Sequence, residues 1–286
     1  MPELPEVEAL AAMLRRQAVG HAVARADAVS IAVLKTYDPS LTALVGENVT
    51  DVDRSGKFLD LTIGGLHLVI HLARAGWLRW QDEMPTGTPR QGRGPTAFRL
   101  VLDDGAGFDL TEAGTKKSLA VYLVADPTEI PGIAALGVDP FDGAFDVSAL
   151  RRILNGNTSR LKTVLRDQKL IAGIGNAYSD EILHAAKLSP YKTAADVTGA
   201  EAATLHDTIV RILADAATAE SSLPAAKLKA HKRSTLRVHG REGERCEVCG
   251  DAIRSVNFAD SSFQYCPTCQ TDGKILADRR MSRLLK

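Results

Sequence analysis

The sequence predicts an α+β chain of several domains: an N-terminal β-sandwich with a leading helix, a helical domain, and a C-terminal zinc-binding module. Three observations carry this. Strand-like runs separated by Gly-Gly and Asp-Asp-Gly turns crowd the region up to Val124. Helical spacing replaces them from Val147 onward. All four cysteines fall in a single C-x2-C-x16-C-x2-C pattern.

The first element is a helix over Glu6–Gln17, where Val7, Leu10, Ala11 and Leu14 recur on one face and Gly20 is placed to end it. Strands are expected at Phe58–Ile63, Leu66–Leu72, Phe98–Leu102 and Leu119–Val124. Their close spacing, with few helical patterns between them, favours a sandwich or barrel. Asp126 to Gly143 is rich in Pro and Gly and reads as a linker. Helices follow at Val147–Leu154 and Arg160–Gln168. After the turn Gly173-Ile174-Gly175-Asn176 another runs to about Lys187, where Ser189-Pro190 stops it. Ala200–Ala219 is a further helix, and Lys227–Arg245 a basic connector into the cysteine module. The expected domains are 1–127, a linker at 128–146, 147–226 and 227–286.

Composition narrows the function classes. Of the 286 residues 45% are apolar and 24% charged, which excludes disordered, collagen-like and simple coiled-coil chains. No run of about 20 apolar residues exists, so no membrane span is expected. The acidic start Met-Pro-Glu-Leu-Pro-Glu does not resemble a signal peptide, and the expected location is cytoplasmic. The 35 basic residues match the 35 acidic ones, but not evenly along the chain. Residues 221–286 hold thirteen Lys/Arg against seven Asp/Glu, which leaves 22 against 28 in residues 1–220. A basic end on an acidic body suits a patch for a polyanion, or else a solvated charged surface.

Cys246, Cys249, Cys266 and Cys269 can together supply a tetrahedral four-thiolate shell for zinc, with a redox pair as the alternative. Such a shell has no open position for substrate, so the metal would be a folding device. At the other end, Pro2 becomes a secondary amine once Met1 is removed. An α-amino group titrates at roughly 7.7–8. Part of it is therefore a neutral nucleophile near neutral pH, able to form Schiff bases, with Glu3 adjacent to move protons. In the turn at Gly173–Asn176 the glycines allow close backbone approach, and Asn176 stands at a helix N-cap position. Such N–H groups bind phosphate, although an ordinary helix–helix turn reads the same way.

Three stretches carry a family resemblance. Pro2-Glu3-Leu4-Pro5-Glu6-Val7-Glu8 is similar to the start of formamidopyrimidine-DNA glycosylases. Gly173-Ile174-Gly175-Asn176-Ala177-Tyr178 with Asp180-Glu181 resembles their helix-two-turn-helix. His239 to Cys246, together with Cys266-Pro267 and Cys269-Gln270, resembles their zinc finger. The matches come in family order and span nearly the whole chain. The resemblance implies base-excision repair, in which a damaged nucleotide is flipped out of double-stranded DNA, by a monomer with one structural zinc. It implies Pro2 as the nucleophile on the sugar, Glu3 as its proton-transfer partner, and Lys57, in Arg54-Ser55-Gly56-Lys57-Phe58, on a phosphate near the lesion. Glu6 would lie near the lesion sugar. Gly175, Asn176 and Tyr178 would hold the DNA backbone, with DNA between the two halves.

The sequence departs from the family in four places. Ser261 stands where the finger usually has an arginine, and a hydroxyl cannot replace a bidentate guanidinium; Arg254 and Lys274 are the candidate substitutes. Arg74 stands where a methionine normally fills the emptied base stack. A guanidinium can also stack there, or simply remain at the surface. The loop Thr111–Ser118 lacks the Arg–Phe wedge and offers Lys116 and Lys117, as phosphate contacts or as solvated lysines. Ser221–Leu236 lacks the glycines of the family's base-capping loop and looks shorter. The expectation is a glycosylase/lyase of altered lesion range, directed to oxidised pyrimidines or mainly to abasic sites. The competing classes are a catalytically silent binder of damaged DNA and a zinc ribbon that docks a protein.

Overall fold

The computed structural model describes residues 1–87, 89, 94–113, 117–258 and 262–277. They form two compact units, each described by itself. Unit 1 is Met1–Leu136 with Ala217–Leu228, and unit 2 is Gly137–Ala216 with Lys229 onward. The division falls inside the stretch read as a linker, which here holds a 3-10 turn at Pro127–Glu129 and the short helix α2 (Pro131–Ala134).

Unit 1 opens with α1 (Leu4–Gln17), two residues earlier than the apolar spacing suggests. Glu3 is the N-cap, and the Glu6 carboxylate accepts the Glu3 N–H at 2.7 Å in a reciprocal capping box. Eight strands follow: β1 (Val23–Ala28), β2 (Val49–Ser55), β3 (Phe58–Ile63), β4 (Leu66–His71), β5 (Gly76–Gln81), β6 (Thr96–Leu102), β7 (Gly107–Glu112) and β8 (Ala120–Val124). They pair antiparallel into two four-stranded sheets, β1-β6-β7-β5 and β2-β3-β4-β8. One core joins both sheets to α1 through Leu10, Leu14, Leu61, Ile70, Phe98 and Phe108, all fully buried. This is the expected sandwich with its leading helix.

Four of these strands escape the sequence pattern for identifiable reasons. β1 and β2 each carry a register shift, at Val23/Arg25 and Val49/Asp51. A bulge interrupts the period-2 alternation, so in β2 the two buried apolar residues are Val49 and Val52, three apart. β5 opens on Gly76, where an added Cβ would lie 2.2 Å from the Leu72 carbonyl oxygen; only glycine fits there. β7 is buried at all six positions although it contains Asp109. Arg99, its cross-strand partner, donates two hydrogen bonds to that carboxylate, at 2.7 and 2.8 Å.

Unit 2 contains α3 (Val147–Leu154), α4 (Leu161–Arg166), α5 (Asn176–Ala185) and most of α6 (Gly199–Glu220). α3 coincides with the stretch read from sequence, and the Asp146 side chain caps it by accepting the Ala149 N–H at 2.6 Å. The stretch read as a basic connector is in part a helix, α7 (Ala225–Thr235). Ala, Lys and Leu are good helix formers, and a run of them needs no apolar stripe to hold a helix. The cysteine module supplies β9 (Arg254–Asn257), β10 (Ser262–Tyr265) and α8 (Pro267–Thr271), with the two strands antiparallel. Among the described residues no helix is long and apolar enough to cross a membrane.

Candidate active site

At the start of unit 1 Met1 is half exposed, while Pro2, Glu3 and Glu6 are buried. The capping box fixes these two carboxylates at the first turn of α1, next to Pro2. Lys57 sits in the two-residue turn between β2 and β3. Gly56 takes φ 57°, as the first position of such a hairpin turn demands, and Lys57 is only 7% exposed. The turn is held from behind. Arg54 donates from Nε to the Glu8 carboxylate on α1 at 2.8 Å, and from Nη1 to the Gly56 carbonyl at 3.0 Å. Its side chain is 6% exposed. Sequence reading missed Arg54 and Glu8 as the pair that ties the lysine turn to the helix bearing Pro2. The motif Arg54-Ser55-Gly56-Lys57 places Arg54 beside the lysine, but its partner Glu8 lies 46 residues away and leaves no local signal.

His71 closes the same neighbourhood. It pairs across the strands with Phe58, their rings 4.6 Å apart. Burial pushes its imidazole down to about 4, and the nearby Lys57 ammonium adds to the shift. The ring is therefore neutral at physiological pH. Arg74 is exposed in the turn between β4 and β5, where Ala73 takes the left-handed φ of 51°. Lys117 reaches back to its own loop, donating to the Glu112 carbonyl at 2.7 Å. The Glu112 carboxylate accepts the N–H groups of Ser118 and Leu119 at 2.6 and 2.9 Å. Lys116 and Ser261 lie outside the described residues.

In unit 2 the Gly173–Asn176 turn is organised by Gln168. Its amide donates to the Ile174 carbonyl at 2.7 Å, and its carbonyl accepts the Gly173 N–H at 3.0 Å. Gly173 has φ 87°. The N-cap of α5 is Gly175, one residue before the expected Asn176. The reason is side-chain engagement: Asn176 donates from Nδ2 to the Ser262 carbonyl in β10 at 2.7 Å, while its buried Oδ1 accepts no hydrogen bond among the described residues. Tyr178 is buried, with Lys232 Nζ 4.4 Å above its ring.

Behind this turn lies a buried charge cluster. Asp180, with no exposed surface, accepts from Lys162 Nζ at 2.6 Å, pairs with His239 Nδ1 at 2.7 Å, and accepts the Gln264 N–H at 3.2 Å. Glu181 accepts three successive backbone N–H groups, from Arg237, Val238 and His239, at 2.8, 3.0 and 2.8 Å. Burial pushes its carboxyl up while these donors pull the other way. Asp180 and Glu181 thus fasten α5 to the entry and the second strand of the cysteine module.

The sulfurs converge. Cys246 and Cys269 are 3.9 Å apart and Cys249 and Cys266 3.3 Å apart. Thiolates at about 2.3 Å from one zinc in a tetrahedron lie roughly 3.8 Å from each other, so this donor set fits the ion. Burial pushes the Cys266 thiol up to about 11; zinc would have to displace that proton. His184 on α5 places Nε2 3.3 Å from Cys246 Sγ, a neighbour of the sulfur cluster that no cysteine spacing reveals.

A β-sandwich with a proline-started helix, a helical unit with a Gly-Ile-Gly-Asn turn, and a four-cysteine zinc finger define a class of DNA-repair scaffold. Residues 1–117 match the N-terminal domain of formamidopyrimidine-DNA glycosylases, 136–225 their H2TH domain, and 243–271 the zinc finger found in these proteins and in isoleucyl-tRNA synthetases. The chain is 32% identical over 279 residues to the formamidopyrimidine-DNA glycosylase of Desulforamulus reducens, covering 94% of this chain and 99% of that protein. It is 59% identical over 156 residues to an uncharacterised formamidopyrimidine-DNA glycosylase-like protein of Mycobacterium tuberculosis, covering 54% of this chain and 98% of that one. The Lactococcus lactis enzyme in complex with abasic-site DNA superposes with a TM-score of 0.83 at 27% identity, over 94% of this chain and 99% of that one. The chain belongs to the formamidopyrimidine-DNA glycosylase family, as a divergent member, and its zinc-finger domain, where the cysteine sulfurs cluster, carries a structural zinc.

Proposed function

We propose that the chain is a bifunctional DNA glycosylase and abasic-site lyase that acts on duplex DNA with a lesion range altered from that of 8-oxoguanine enzymes. With Met1 removed, the Pro2 nitrogen attacks C1′ of the damaged nucleotide. The N–C1′ bond forms, the glycosidic bond breaks, and the base leaves with a proton. Opening of the sugar ring gives a Schiff base. Loss of a C2′ proton then expels the 3′ phosphate. Glu3 moves protons at the sugar, and Lys57 meets a phosphate beside it. Gly175, Asn176 and Tyr178 face the DNA backbone in this reading, with Arg74 and Lys117 as further contacts. Glu6 acts from the capping box, keeping the first turn of α1 in register.

The altered lesion range rests on α7. The stretch that would fold over an extruded base is a helix here. Its first residue accepts a hydrogen bond from Trp77 Nε1 at 3.2 Å, and Ala225 and Leu228 sit in the unit 1 core. A segment anchored in this way cannot close over a base as a mobile loop does. An abasic site has no base to cover, so it is the substrate this arrangement serves best.

Borohydride trapping on an abasic-site duplex tests the chemistry, with Pro2→Gly as the control. An adduct that requires Pro2 is expected. Binding without an adduct would make the protein a silent binder of damaged DNA. A lesion panel tests the range: cleavage of abasic sites should exceed excision of 8-oxoguanine, and equal rates would remove the argument from α7.

A further inference from the structure

A pocket of about 240 Å³ lies in unit 2 between α4 and the end of the β9–β10 pair where Phe258 follows β9 and Ser262 opens β10. Its floor is aromatic. Phe263 packs edge-on against Tyr191 at 5.6 Å, and Phe258 stands 5.8 Å from Phe263. Its rim is cationic, with Arg160, Thr163 and Arg166 exposed along α4 and the residue before it. Arg160 is stacked on Tyr191, its Cζ 3.6 Å from the ring centroid, which holds the guanidinium plane in place. Tyr191 is itself anchored, donating from its hydroxyl to the Ala277 carbonyl at 3.1 Å.

The charges on this rim are of two kinds. Lys162 is 5% exposed and committed to Asp180, Ser179 and the Asn176 carbonyl. Arg160 and Arg166 form no ion pair among the described residues. Two guanidinium groups on one rim favour an oxyanion that can accept paired N–H bonds, as a phosphodiester does. A free inorganic anion would leave the aromatic floor unused. A strand nucleotide would use both, with its phosphate on the arginines and its sugar and base edge on the rings.

We propose that this pocket seats one nucleotide of a DNA strand, with its phosphate held by Arg160 and Arg166 and its sugar against Phe258 and Tyr191. The assignment rests on the DNA-binding reading above and adds a contact that none of the family motifs in the sequence contains.

The test is a salt series of binding to duplex and single-stranded oligonucleotides, read by fluorescence anisotropy on the full-length, zinc-loaded chain. The wild type is compared with Arg160→Ala/Arg166→Ala and Arg160→Lys/Arg166→Lys. Each phosphate contact adds about 0.9 to the slope of log affinity against log salt for duplex, and about 0.7 for single strands. The alanine pair should therefore lower the slope by about 1 and weaken binding roughly tenfold or more. The lysine pair should recover the slope and only part of the affinity, because it keeps the charge and loses the fork. An unchanged slope in the alanine pair, with duplex binding intact, would overturn the pocket and leave the DNA reading standing. A wild type with no salt-dependent duplex binding would overturn both. Calorimetry with inorganic phosphate separates the sources: heat with the wild type but not the alanine pair, combined with an unchanged DNA slope, would make this a free-anion site and defeat the strand assignment.

Discussion

Two helices carry paired acids, α1 at its first turn and α5 at its middle, and they use them in opposite ways. At α1 the Glu6 carboxylate turns back to its own chain and accepts the Glu3 N–H three residues away. At α5 Asp180 and Glu181 reach across 56 residues or more, to Arg237, Val238, His239 and Gln264. A carboxylate bonded within its own turn can change with little effect beyond that turn. One that joins distant segments, buried among charges, cannot. The first arrangement closes on itself within the first turn of α1, while the second fixes the frame on which the finger stands.

The contrast can be tested from its strongest end. Removing zinc with a chelator should unfold the finger, since structural zinc contributes on the order of 10 kcal/mol to folding such modules. The unit 1 sandwich should keep its strand signal, and loss of both together in circular dichroism would contradict two separately built units. Asp180→Ala strands Lys162 in a buried site, and the expected loss is about 3–5 kcal/mol in denaturant unfolding. A loss equal to that of Glu6→Ala would erase the distinction between the two acid pairs.

His71 gives a pH-dependent counterpart in unit 1. Its folded value, about 4, lies below its ordinary 6.5, so the unfolded chain takes up the proton first. Stability should be fully present above pH 6.5 and fall as pH drops from 6.5 to 4, by up to about 3 kcal/mol. His71→Gln should flatten that part of the curve, and an unaltered slope would place the proton uptake elsewhere. Arg54→Ala should cost about 1–3 kcal/mol, since it removes a buried donor from the Gly56 carbonyl. It should also slow borohydride trapping through the displaced lysine turn, with Arg54→Lys restoring only part of the rate. The smallest effect should come from Glu6→Ala, about 1 kcal/mol for a lost cap.

What the sequence disclosed follows the range of the interactions. β3 and α3 were legible to the residue because alternation and helical spacing are local. The four cysteines were legible because two knuckles of fixed spacing leave little freedom. β7 was hidden because its buried Asp109 reads as polar until Arg99 is found across the sheet. β1 and β2 were hidden by bulges. Asn176 was assigned to the right turn but to the wrong hydrogen bond, because its partner Ser262 is 86 residues away. Arg54 and Glu8, separated by 46 residues, were invisible for the same reason. The cationic pair beside Tyr191 has no motif at all and exists only once α4 and the β9–β10 pair are folded.

Unit 1 is discontinuous in the chain. It ends at Leu136 and is completed by Ala217–Leu228, whose Ala225 receives the Trp77 indole N–H and whose Leu228 fills the core. A gene truncated after codon 136 would therefore encode a sandwich lacking its final strap, with an indole donor and an apolar socket opened to water. For anyone dividing this protein into pieces, the smallest self-sufficient form of its first half is not a prefix of the polypeptide but a prefix plus a dozen residues from much later in translation. A ribosome releasing the chain vectorially must hold that half incomplete until most of the second has been made.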